Sequence, residues 1–167
     1  MKPHRIARPK WVSCFAVPIA FCAVLLCSDP ASAGRWSADT LSNDDASDLL
    51  NQIVPNGSVD TIHSALDAAW NSVSTVSDAR ASRALAAAEM VAAMVGNPSR
   101  YLPDPCKAWA VLHSKDANRN LIESAVRAVD RVVKNSETQE LMQEGGAKNL
   151  QDWQVSVTNL KDRLISR

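Results

Sequence analysis

From residue 34 onward, apolar positions recur in steps of three and four, the spacing that lines up one face of a helix. Asn43, or Ser42, can cap a first helix. Asp44 and Asp45 then fall in its first turn and Leu49, Leu50 and Ile53 form its apolar face. VPNG at 54–57 reads as a turn. Ser58 or Asp60 opens a second helix, whose stripe is Val59, Ile62, Leu66, Ala69, Trp70 and Val73. Ser77-Asp78 opens a third, closed by Gly96-Asn97-Pro98 with glycine suited to the left-handed C-cap. Between Ala84 and Val95 the only charge is Glu89, so this helix is apolar on nearly every side and belongs at the centre of a bundle.

PSRYLPDPC reads as a proline-stiffened loop, followed by a short helix through KAWAVLH. DANRNLIESAVRAVDRVVKN is the next clear helix, with Leu121, Ile122, Ala125, Val126, Val129, Val132 and Val133 as its stripe. SETQELMQE starts on a capping serine, and Gly145-Gly146 breaks it. A final helix from Ala147 to Ile165 carries the seam Leu150, Trp153, Val157, Leu160 and Leu164. Strand-like alternation, internal repeats and low-complexity tracts are absent. The expected fold is all-α: a compact single-domain bundle of five to seven helices over residues 34–167.

The first 33 residues follow a different pattern. Lys2, Arg5, Arg8 and Lys10 precede the uncharged run WVSCFAVPIAFCAVLLC, and ASA at 31–33 supplies a small-x-small cleavage site. Residues 1–33 therefore read as a cleavable secretory signal, and the product as secreted or periplasmic. The alternatives are an anchor left uncleaved, for which the run is short, and lipidation at Cys27, which lacks the small residue before it.

Cleavage changes the charge. The whole chain is neutral, with 18 basic and 18 acidic residues; removing four bases and Asp29 leaves 14 against 17, or about −3. That balance gives no footprint for nucleic acid or anionic lipid. Of four cysteines only Cys106 remains, so no internal disulfide can form. A buried thiol is the plain reading, and a bridge between two chains the other.

Candidate chemistry is sparse. Glu89 sits about 40° from Leu85 and about 60° from Ala92 around its helix, inside the apolar arc. A buried carboxylate there needs donors: backbone N–H groups of another helix's first turn, an arginine or an indole. It is expected to fix helix register or fasten the N-terminal segment. Asp39, Asn43, Asp44, Asp45 and Asp48 lack the spacing and the glycine of a calcium loop. They read as a helix start, ahead of a weak cation site or an acid–base pair. His63 and His113 have no second ligand at helical spacing, and a Cys106–His113 dyad is only geometrically possible. Trp36, Trp70, Trp109 and Trp153 read as packing residues first and as a ligand groove second. The pairs Arg80/Arg83 and Arg127/Arg131 read as solvated or salt-bridging faces.

GRWSADTLSNDDASDLL, AAAEMVAA, LPDPCKAW and SETQEL, in that order, resemble the small bacterial family catalogued as domain of unknown function 4259. Gly34, Trp36, Asn43, Asp44, Asp45, Ala46, Asp48, Glu89 and Val91 fall on its pattern, and the likeness spans about residues 34–164. Arg35 and Ser37 replace the family's usual alanine and glycine, and Leu49 stands where an aromatic is common. The resemblance implies a helical fold and carries no activity; many members lack an export signal.

These readings point to a binding or interaction module, with another protein or a small ligand as partner. No cofactor, metal site, nucleic acid or stable membrane insertion is expected. The rival is a ligand-binding protein or hydrolase-like enzyme with a carboxylate pocket. The candidate cluster is Trp36, Asn43, Asp44, Asp45, Asp48, Glu89 and Trp109.

Overall fold

The computed structural model describes residues 40–166. The chain divides into two units, Met1–Ala33 and Gly34–Arg167, and all described residues lie in the second. The expected signal and Trp36 fall outside the described residues.

Seven α-helices make up the described part: α1 (Asp44–Asn56), α2 (Val59–Trp70), α3 (Asp78–Met94), α4 (Asp104–Leu112), α5 (Arg119–Lys134), α6 (Glu137–Glu144) and α7 (Ala147–Ile165). A 3-10 turn, Ser114–Asp116, links α4 to α5. No strand occurs among the described residues; one parallel bridge, Val76 to Ser136, is the only β contact there. None of these helices is long and apolar enough to cross a membrane.

α3 is the axis of the bundle. Every residue from Ala84 to Met94 is buried, and α3 packs against each of the other six α-helices. Its alanines explain how: small side chains leave room for neighbouring helices to pack closely on every side. The remaining helices each turn one stripe inward. Ala46, Leu49, Leu50 and Ile53 do so from α1, and Leu121, Ile122, Ala125, Ala128, Val129 and Val132 from α5. Trp153, Val157, Leu160 and Leu164 do so from α7.

Helix ends account for several boundaries. Gly96 takes φ +96°, and the amide of Asn97 reaches back to the carbonyl of Ala92 at 2.9 Å, closing α3 with a six-residue loop. The starts of α3 and α6 hold each other. The Glu137 carboxylate accepts from the Asp78 amide at 3.0 Å, and the Thr138 hydroxyl donates to the Asp78 carboxylate at 2.6 Å.

Three expectations about element limits change. α1 runs through Val54 and Pro55, so only Gly57 (φ +61°) and Ser58 separate it from α2. Pro55 is tolerated because it lies in the last turn, where its missing N–H strands one solvent-facing carbonyl. α2 stops at Trp70, leaving Trp70 half-exposed beside Arg127 and Val73 fully exposed; Asn71 and Ser72 end the helix before the stripe does. α4 begins at Asp104 with Pro105 in its first turn, a position where proline costs no hydrogen bond.

Candidate functional site

Glu89 is 2 % exposed, on the innermost helix. Burial of a carboxylate demands donors on both oxygens, and three arrive from far along the chain. The Arg163 guanidinium donates to Oε1 at 2.6 Å through Nη2 and to Oε2 at 2.8 Å through Nη1. The Thr40 hydroxyl donates to Oε1 at 3.0 Å. The arginine–carboxylate fork is bidentate, the geometry that makes charged hydrogen bonds strongest.

Arg163 is itself held in place. Its Nε donates to the Asn159 side-chain carbonyl at 3.0 Å and Nη1 also donates to the Asn97 backbone carbonyl at 3.2 Å. Asn97 in turn donates from Nδ2 to the carbonyls of Arg163 and Ser166, capping the end of α7. One network therefore ties the segment before α1, the centre of α3, the α3–α4 loop and the end of α7.

A cleft of about 430 Å³ opens beside this network. Thr40, Glu89 and Arg163 form its floor; the loop Pro98–Tyr101 makes one wall, and Val155, Ser156 and Asn159 of α7 the other. Arg100 lies over the Tyr101 ring at 4.5 Å and donates to the Tyr101 hydroxyl. The Tyr101 amide donates to Ser99 Oγ at 3.2 Å, which shapes the loop.

The other candidate residues sit elsewhere. Asn43 is the N-cap of α1, its Oδ1 accepting from the Ala46 amide at 2.8 Å. Asp44 and Asp45 occupy the first turn of α1, and Asp48 is exposed one turn on. None of these three aspartates lines the cleft beside Glu89. Asn43→Ala should cost about 1 kcal/mol through the lost cap, read as a lower urea midpoint with unchanged slope. A change in divalent-cation binding without a stability loss would contradict the cap.

Trp109 is buried in α4 and stacks on His113 with ring centroids 4.0 Å apart. Its indole N–H has no hydrogen-bond partner among the described residues. His113 Nδ1 lies 3.1 Å from the Asp116 carboxylate. Cys106 is a free, buried thiol whose pKa is pushed up by desolvation, the opposite of an activated nucleophile. Among the described residues no three His, Cys, Asp or Glu side chains are grouped to hold a metal.

The arginine expected as one of three kinds of partner for Glu89 is Arg163; backbone amides and an indole make no described bond to it. Sequence reasoning missed Arg163, Thr40, Asn159 and the Arg100–Tyr101 wall. The one available signal was Arg163 beside the buried seam of α7, between Leu160 and Leu164.

The family model described as "Domain of unknown function (DUF4259)" matches residues 34–156. The match includes Glu89 and ends inside α7, short of residue 164 and of Arg163. No curated protein and no solved structure matches the chain.

Proposed function

The chain belongs to the DUF4259 family, and we propose that within it this protein is an exported binding module whose recognition surface is the cleft above Glu89 and Arg163. The observation that carries this reading is the state of the cleft floor. Both oxygens of Glu89 are engaged, and Arg163 is fixed by four bonds, so the floor is rigid before anything binds. Pre-organised polar groups beside an apolar wall are what a small-ligand site needs, and about 430 Å³ falls within the usual range of such sites. A carboxylate already saturated with donors supports binding over acid–base catalysis. The basic-apolar-small order of residues 1–33 supports export with cleavage after Ala33.

The test uses protein recovered after export, whose intact mass should begin at Gly34. A thermal-shift screen against a chemically broad small-molecule library should give at least one saturable hit. Ligand at about 100 times its Kd adds about 2.7 kcal/mol of stability. The same hit should leave Tyr101→Ala unshifted. Hits that stabilise Tyr101→Ala equally, or no saturable hit, would count against the cleft, and a mass beginning at Met1 against cleavage.

A further inference from the structure

Resting on that reading of the cleft, we infer that its ligand is a small carboxylate with an apolar body, received by Arg100. The charge balance of the lining leads there. Among the described residues Glu89 is the only acid lining the cleft, and it is already paired with Arg163 in a bidentate bond. Those two cancel. Arg100 is left over: it is exposed, it makes no ion pair with a described acid, and its contacts are the ring and hydroxyl of the neighbouring Tyr101. A guanidinium stacked on an aromatic face keeps its outward N–H edge available, in the fork shape that matches a carboxylate.

The uncharged groups point the same way. Asn159 spends its side-chain carbonyl on Arg163 Nε, which leaves its amide N–H₂ as what it can offer a ligand. Ser99 Oγ already accepts from the Tyr101 amide, so its O–H is left to donate. Ser156 adds a second hydroxyl. The described lining is thus rich in donors, carries one positive charge beyond the Glu89–Arg163 pair, and is flanked by the apolar surfaces of Tyr101, Pro98 and the exposed Val155. A donor-rich, singly cationic site complements an anion; the flanking ring and methyl groups complement an apolar body beside it.

The probes are benzoate, benzamide and benzylammonium, which share a ring and differ in the head group. They are titrated into the exported protein while backbone amide NMR signals are followed. Benzoate should move the signals of Arg100, Tyr101, Val155 and Asn159 saturably. Benzamide should bind at least about tenfold more weakly, since a hydrogen bond to a charged partner contributes more than a neutral one. Benzylammonium should not bind. Arg100→Gln, an exposed substitution, should reduce benzoate to the affinity of benzamide. Equal binding of benzoate and benzamide, or benzoate binding indifferent to Arg100→Gln, would overturn the anion assignment and leave the cleft as a binding site. Absence of saturable shifts from all three probes also overturns it, while the library screen decides separately whether the cleft binds anything.

Discussion

Glu89→Ala should remove about 3–5 kcal/mol of folding stability, the cost of leaving a buried charge without its partner. For a domain of ordinary total stability, about 5–15 kcal/mol, that is a large share. With about 3 °C of midpoint per kcal/mol at this size, thermal unfolding should move down by roughly 10–15 °C. The size follows from position. Glu89 is 2 % exposed, its arginine partner is largely buried, and Thr40 loses its acceptor in the same substitution. Glu89→Gln keeps an acceptor for Thr40 and should lose less. Replacing Glu89 and Arg163 together by leucine should recover most of the loss, because a buried ion pair is held against a heavy desolvation cost. If Glu89→Ala unfolded at the wild-type temperature, the carboxylate would be free for other work, and the reading of the cleft floor would have to change.

Trp153→Ala should cost about 3–5 kcal/mol by a different mechanism, the cavity left by the largest of the fully buried side chains among the described residues. Trp153 is 1 % exposed and lies on the inward seam of α7, which packs on α3, α5 and α6. Trp153→Phe should lose less, since a phenyl ring refills part of the space. Trp70→Ala is the comparison. Trp70 is half-exposed and its contact is the Arg127 guanidinium at 5.4 Å, so its loss should stay within about 1 kcal/mol. The three melts, measured by urea unfolding, separate burial from residue type: equal costs for the two alanine variants would contradict the placement of α7. Because Val155, Ser156 and Asn159 form one wall of the cleft, a loosened α7 should also weaken ligand binding.

Most of the helices could be read from periodicity, because burial on one face leaves a mark every three or four residues. The all-α fold, the central place of α3, the capping role of Asn43 and the burial of Glu89 all followed from that mark. Periodicity failed where a helix ends for local reasons. The step from Trp70 to Val73 keeps the apolar rhythm, yet Asn71 and Ser72 end α2 first. Pro55 looked like a turn residue, yet the last helical turn accepts it. Pairings between distant helices were not legible at all. Arg163 lies 74 residues from Glu89, and Thr40 lies 49 residues away. A sequence shows that a buried acid needs a donor, but the packing of α7 against α3 decides which one arrives. The cleft is a product of that packing too, formed by a loop and a helix face that carry no motif. The aspartates that drew attention in SNDDASDLL belong to the start of α1, away from the cleft lining.

The pair at the centre of this account is tested most directly by a double-mutant cycle in urea, with Glu89→Ala, Arg163→Ala and both together. Coupled partners in one buried network show interaction energies of about 0.5–3 kcal/mol, and the bidentate, buried geometry here predicts a value near the top of that range. Additive losses, equal within about 0.5 kcal/mol, would mean that Glu89 and Arg163 do not hold each other and that the cleft floor is not the rigid platform described.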